Sequence, residues 1–476
     1  GNVSDFMDEK EALLALQNCG VSGPVELKFN TGTYDALSFT DTVTGASTTN
    51  TITFTSTSDK AEDVSFITKG GVALTLDNTG YFIFKNVTFN GIVGLSGVEF
   101  KNICNDILFY GCNILADPTA TSSTSRAVSY ANTSGSGKYL NNVRFIKNIV
   151  SGGYYNFYLY YPGNSGTEMS NGSTSITIDS NILTDAYYYG IYSYYYGYYP
   201  SISYNSITSR STSSTYYGIY TYYYHTILAM VGNRIQVNCS STGYGMRLYY
   251  YHNYNTSYGS NGPGLLANNE IVINNGSSTS YGMYVYNYSR WDIINNSIYT
   301  NSTASSYGLY LYSTTATEVL NAKNNNVSMP YATTGYPLYV SIASYSISGY
   351  ILTDYNNYYN PYYAGYVGSA QTTLAALQTA TGQDANSKSI NPVFINIAKS
   401  LELADTTGLT CARLSNVLTD VTGKSRNANT VMGAYEYASF DMALIDYISP
   451  SLGQQVCEGS SLPIRFKAKN AGIEPI

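Results

Sequence analysis

A chain of 476 residues with 11% charged side chains and a net charge of −7 offers no basic surface for nucleic acid. No run reaches the roughly 18–20 consecutive apolar residues of a membrane span. A hydrophobic share of 44% and an aromatic share of 15%, with 54 tyrosines, argue against a disordered low-complexity chain and for a folded, β-rich body.

In chain order, residues 1–20 read as a capping helix, with Asp8 as N-cap and Leu13, Leu14 and Leu16 toward the core. Such a helix covers the first strand edge, which would otherwise invite pairing with another chain. Residues 21–140 read as coils poor in tyrosine. From Asn86 onward a short pattern, Asn-x-Ile/Val/Leu or close to it, recurs at Asn86, Asn113, Asn148, Asn181, Asn205, Asn233, Asn269, Asn296, Asn325 and Asn356. The mean spacing is about 30 residues. Between these lies a second pattern: YNFYLYY, YGIYSYY, YGIYTYY, YGMRLYY, YGMYVYN, YGLYLYS and YPLYVSI.

A period near 30 with two short β-like segments per unit is the mark of a parallel β-solenoid. Strict alternation in GMYVY and GLYLY excludes a helical repeat and implies strands with one face buried. Phe157/Leu159, Ile191/Ser193, Ile219/Thr221, Met246/Leu248, Met283/Val285, Leu309/Leu311 and Leu338/Val340 are expected inside. Tyr158/Tyr160, Tyr192/Tyr194, Tyr220/Tyr222, Arg247/Tyr249, Tyr284/Tyr286, Tyr310/Tyr312 and Tyr339/Ser341 are expected outside, as two adjacent columns of stacked rings within tyrosine-rich coils at 141–360. Each repeated Asn is expected at a bend that tolerates left-handed backbone, its amide bonding along the stack.

Residues 361–437 read as closing the solenoid, with LAALQTATG as a short helix. Residues 438–476 change in texture and read as the start of an immunoglobulin-like β-sandwich. Cys19, Cys104, Cys112, Cys239, Cys411 and Cys457 are too sparse for a disulfide scaffold, and without a CxxC pair a zinc site is not expected. Buried free thiols are the favoured reading, with a Cys104–Cys112 bridge as the alternative.

Three stretches outside the repeats carry a resemblance. EALLALQNCGVSGPVELKFNTGTYDA with NTITFTSTSD resembles the opening of secreted right-handed parallel β-helix repeat proteins of Bacteroidota, within the pectate-lyase-like superfamily. LAALQTATGQDANSKSINPVF and TDVTGKSRNANTVMGAYEY resemble that family's closing segments. The resemblance implies an all-β, right-handed parallel β-helix over 21–437 and an extracellular or cell-surface location for a chain that has lost its signal peptide. Residues 438–476 are well short of the roughly 100 residues of a β-sandwich, so the expectation is either a longer protein or a tail that completes its fold against another chain.

Some members of that superfamily cleave acidic polysaccharides with clustered carboxylates. Here no Asp-Asp pair occurs, and Asp179, Glu270, Asp292 and Asp354 fall in different registers, so fold analogy does not carry catalysis across. His225 and His252 each end a YYYH run at the same offset from their coil glycine, so they are expected as neighbours near Arg247, weak acid/base candidates. Two histidines without a carboxylate in register are a poor ligand set, and turn residues in a tyrosine-rich loop are the preferred reading.

The functional expectation is a non-enzymatic extracellular surface or filament protein, with neither cofactor nor metal, acting through stacked tyrosines. Its partner would be a second copy or another surface protein, and a polysaccharide is a further candidate. The alternative is a glycan-binding or polysaccharide-degrading β-helix of the lyase or hydrolase kind.

Overall fold

The computed structural model describes residues 9–132, 137–163, 174–210, 212–253, 262–287, 289–313, 320–342, 350–437, 442–449 and 465–470. The chain is a parallel β-helix. Its coils contribute strands to three long surfaces, among them a 12-stranded sheet from Gly32–Asp35 to Asn357–Tyr359 and a five-stranded sheet from Ala229–Val231 to Ile351–Asp354. The tyrosine strands form the third surface. They are Tyr155–Tyr160, Tyr189–Tyr194, Tyr216–Tyr222, Gly243–Tyr249, Ser280–Tyr286, Ser306–Ser313 and Gly335–Ile342.

These strands pair in parallel without a register shift. Phe157 faces Ile191, then Ile219, Met246, Met283, Leu309 and Leu338 in successive coils. The expected inward set is wholly buried, including the polar pair Ser193 and Thr221. Hydrophobic burial at about 25 cal/mol per Å² therefore favours the same side of every strand, and a one-residue slip would invert each one.

The glycine of each YG pair has a steric cause. At Gly218 a Cβ would lie 2.5 Å from both Ile235 Cγ2 and the Gly245 carbonyl oxygen. The backbone there leans onto the 12-stranded sheet, so the tyrosine before the glycine also points outward rather than following simple alternation.

The repeated asparagines build one hydrogen-bonded file. Asn148, Asn181, Asn205, Asn233, Asn269, Asn296, Asn325 and Asn356 are all buried. In each, Nδ2 donates to the Oδ1 of the Asn one coil on at 2.9–3.0 Å, up to Asn325. The backbone N–H donates to the same oxygen at 2.9–3.1 Å. The second amide hydrogen reaches a carbonyl of the preceding coil, as from Asn233 to Ile202 at 2.8 Å. Every donor and acceptor of the amide is used, which removes the desolvation penalty of burying it.

Two of the repeated asparagines lie outside this file. Cys112 begins it, its N–H donating to Asn148 Oδ1, so Asn113 is already in the following strand. Asn86 is itself the left-handed residue, at φ 51°. Elsewhere the left-handed position belongs to the residue before the file: Lys147, Ser180, Tyr204, Gly232, Asn268, Asn295, Asn324 and Tyr355.

Both ends are covered. Helix α1 (Glu9–Cys19) buries Ala12 and Leu16 and packs Leu13 against the core, whereas Leu14 is 55% exposed, contrary to the sequence reading. At 100° per residue the stripe shared by positions 12, 13 and 16 excludes position 14. Asp8 lies outside the described residues. Helix α2 (Leu374–Thr381) has a Thr373 cap accepting from Ala376 N at 3.1 Å and left-handed Gly382 after it.

The closing segment then runs back along the side of the coils rather than extending the stack. The Asn268 amide donates to the Thr419 carbonyl and its Oδ1 accepts from Arg426, both at 2.7 Å. Asn324 donates to Ala412 at 2.9 Å, and Asn295 to Gly433 at 3.3 Å. In the doublets Asn268–Asn269, Asn295–Asn296 and Asn324–Asn325 the first Asn thus anchors the return strap, and the second belongs to the file. Beyond it, Met442–Ser449 and Arg465–Asn470 pair antiparallel.

Asn233→Ala orphans the Asn205 N–H, the Asn205 amide and the Ile202 carbonyl. At roughly 1 kcal/mol or more per buried orphan, it is expected to destabilise by about 3 kcal/mol in urea unfolding. A loss below about 1 kcal/mol would contradict the role given to the file.

Candidate interaction face

The outward tyrosines form five columns rather than the two that alternation gives. The expected pair is present. In one column Tyr158, Tyr192, Tyr220, Arg247, Tyr284, Tyr310 and Tyr339 are register partners, and Tyr366 continues it. Beside it run Tyr160, Tyr194, Tyr222, Tyr249, Tyr286 and Tyr312.

A third column joins Tyr155, Tyr189, Tyr217, Tyr244, Tyr281 and Tyr307, with centroids 4.5–5.0 Å apart and planes within 15°. Two more continue around the corner: Tyr161, Tyr195, Tyr223 and Tyr250, then Tyr196, Tyr224 and Tyr251. The signal for the third was in the sequence, as the tyrosine before the coil glycine at Tyr189, Tyr217, Tyr244, Tyr281 and Tyr307. The corner columns had the runs YYY and YYYH as their only trace.

Ring orientation decides what such a surface offers. Tyr284–Tyr310 lie 4.4 Å apart at 15°, Tyr249–Tyr286 4.3 Å at 12°, and Tyr286–Tyr312 4.2 Å at 3°. The faces of these rings are spent on one another along the helix axis. What points outward is the ring edge and its hydroxyl. These face residues are half-buried, apart from Tyr155 and Tyr217 of the third column, which are buried.

The corner columns carry backbone strain. Tyr161, Tyr195, Tyr196, Tyr223, Tyr224, Tyr250 and Tyr251 have φ between 49° and 63°, a region where a bulky residue is an outlier. Inter-coil backbone bonds hold it, such as Tyr195 N to Tyr222 O at 2.9 Å and Tyr223 N to Tyr249 O at 3.0 Å.

Arg247 is the one residue ionised at neutral pH within these columns. Its guanidinium carbon lies 4.7–5.8 Å from the ring centroids of Tyr217, Tyr220, Tyr244, Tyr249 and Tyr284. No carboxylate pairs with it among the described residues. The rings supply its counter-field through cation–π attraction. Arg126 caps the top of the face, 3.7 Å above the Tyr158 ring.

His225 and His252 are neighbours, with centroids 5.5 Å apart, but they lie inside the coil and not on the face with Arg247. His225 Nε2 shares a hydrogen bond with Ser193 Oγ at 2.8 Å, and His252 Nε2 with Thr221 Oγ1 at 2.7 Å. Burial lowers the His225 pKa to about 3; burial, then His225, lowers His252 well below the usual value. Both are neutral core groups, so the expected proximity holds and the turn placement does not.

The carboxylates remain scattered. Asp179 pairs across coils with Ser203, Asp292 with Asn321, and Asp354 with Lys323. Glu270 sits beside a cavity of about 150 Å³ between the 12-stranded sheet and the return strap. Its carboxylate accepts from Leu401 N at 3.0 Å and from the Tyr435 hydroxyl, and lies 3.6 Å from Arg234. These partners hold the strap down. Cys104, Cys112, Cys239 and Cys411 are buried and free, and Cys19 is exposed; Cys457 lies outside the described residues.

No family model matches this sequence, and no curated protein matches it.

Tyr220 of the first column, and Tyr154, which stacks on Tyr188 beside the third, titrate late. Burial first, and neighbouring phenols second, push the Tyr154 pKa up to about 12; burial likewise takes Tyr220 to about 12 against the opposing pull of Arg247. A raised folded-state pKa contributes stability that is complete below the unfolded value near 10 and is lost as pH rises through 12. Unfolding midpoints are therefore expected to hold up to about pH 10 and fall between pH 10 and 12. Midpoints that stay level from pH 10 to pH 12 would contradict this.

Proposed function

We propose that this chain is a non-enzymatic extracellular surface or filament protein that acts by contact, in assembly or adhesion, through its tyrosine face. The terminal motifs support kinship with the secreted parallel β-helix proteins of Bacteroidota. In that setting the strands at 442–449 and 465–470 are the opening of an immunoglobulin-like module.

The observation that carries this reading is the strained corner. A left-handed placement costs about 1–2 kcal/mol for a residue with a Cβ, and asparagine tolerates it better than tyrosine. A stacked ring pair returns about 0.5–1.5 kcal/mol. At Tyr195, Tyr196, Tyr223, Tyr224, Tyr250 and Tyr251 stacking offsets the strain at best. The opposite corner of the same coils has one left-handed residue each, Tyr204, Gly232 and Asn268, so tyrosine stands there once where the outer corner has a pair of tyrosines in every coil. Tyrosine at the strained corner widens the outer face without a net gain in stability, and strain retained in this way points to use.

Sugar binding by ring stacking needs open ring faces; neighbouring rings cover both faces of Tyr286 and Tyr310, and the third column is stacked throughout, while Tyr192 and Tyr220 stand at 60° to each other. The scattered carboxylates and interior histidines further favour contact over catalysis.

Replacing Tyr195, Tyr223 and Tyr250 with Asn is expected to leave the urea midpoint unchanged or slightly raised. It should weaken whichever contact the wild type makes, followed as self-association by sedimentation and as retention on insoluble polysaccharide. Undiminished contact in both assays, or a loss of several kcal/mol in stability, would return the face to a purely structural role.

A further inference from the structure

Resting on that reading, we propose that the occupant of the tyrosine face is a second copy of the same chain, packed face to face in a closed dimer. Three features of the surface favour it.

The first is hydrogen-bond symmetry. A phenol hydroxyl both donates and accepts. A field of outward hydroxyls therefore complements itself, which a field of carboxylates or guanidinium groups does not. The second is charge. The chain carries a net −7, yet the columns from Tyr155 to Tyr366 hold one ionised group, Arg247, already enclosed by five rings. Two such faces meet without the like-charge repulsion that the rest of the surface would impose, and a charged partner finds nothing complementary.

The third is size. Eight register positions from Tyr158 to Tyr366 at about 4.8 Å each span roughly 34 Å, and the strand from Tyr155 to Tyr160 adds a width of about 17 Å. The product, about 580 Å², lies close to the lower end, roughly 600 Å² per partner, of stable interfaces. Tyrosine is also a residue enriched at the centre of such contacts.

The face occupies one side of the β-helix. A contact that uses the same patch on both copies consumes it and stops at two. Filament growth would need a different surface.

Sedimentation of the full chain is expected to give a species of twice 51.9 kDa. Tyr192→Lys/Tyr310→Lys should be monomeric with an unchanged circular dichroism spectrum. Ile182→Lys, an exposed position on the 12-stranded sheet, should remain dimeric. Iodination of the wild type, which needs no variant, should show Tyr192, Tyr220 and Tyr284 protected as concentration rises.

A wild type that stays monomeric at the highest soluble concentration, with iodination independent of concentration, overturns the dimer. So does open-ended fibre growth, or a Lys variant that folds and still dimerises. If the monomeric wild type nevertheless adheres to polysaccharide and the Tyr195, Tyr223 and Tyr250 substitutions abolish that, the contact reading stands and only the second copy is lost.

Discussion

Everything in this molecule depends on each coil resting on the next at one fixed register, and the buried asparagine file is what fixes it. Backbone ladders alone define the spacing between coils but tolerate a shift along the strand. The file does not. Each Asn oxygen receives both the amide and the backbone N–H of the Asn in the preceding coil, and a shift of one residue breaks both. Its separations of 24 to 36 residues show that loop length varies freely while the bonded position does not. Loops outside the file lengthen or shorten at small entropic cost because their ends are held.

Fixed register turns a sequence position into a column, and a column is uniform in environment. In the first half of the chain the aromatic column is interior: Phe54, Phe84, Phe109 and Phe145 stack at 4.9–5.4 Å. In the second half Ile, Met and Leu take over the interior and the aromatic columns move outside as tyrosine. On both sides rings meet from coil to coil, with planes 7° to 38° apart in the phenylalanine file and 3° to 60° apart in the tyrosine columns. The hydroxyl and the surrounding solvent make the difference, converting a core device into the surface for which contact is proposed. Arg247 fits the same logic, because a cation in a column of rings needs no acid and leaves the face free of carboxylates.

The fold was legible because two periodicities coincide. Alternation identified the strands, and recurring Asn near 30 residues identified the coil. Column membership followed from alternation for Tyr158 and Tyr160 and their partners. It failed for Tyr189 and Tyr217 because the bend at Gly190 and Gly218 breaks alternation there, and steric pressure from Ile207 and Ile235 across the coil leaves no mark in a local window. The anchoring role of Asn268, Asn295 and Asn324 was hidden for a related reason. Their partners lie more than 80 residues away in the return strap, with no period linking them. Leu14 shows the smaller error of reading a helix by composition instead of by angle.

Columns also explain the polar letters inside. Ser193 and Thr221 stand where Leu159, Leu248, Val285 and Leu311 stand in other coils, an apparent fault in a hydrophobic file. Each is met by a histidine from the coil that follows, His225 for Ser193 and His252 for Thr221. The exceptions in one column are answered by exceptions in another, offset by a single coil. A buried hydroxyl without a partner costs about 1–3 kcal/mol, and a buried imidazolium costs far more, so the pair is stable only with both histidines neutral. The two histidines that looked most like chemistry are thus required by two residues that looked like defects. A coil-by-coil comparison of columns, rather than a search along the chain, is the reading that connects them.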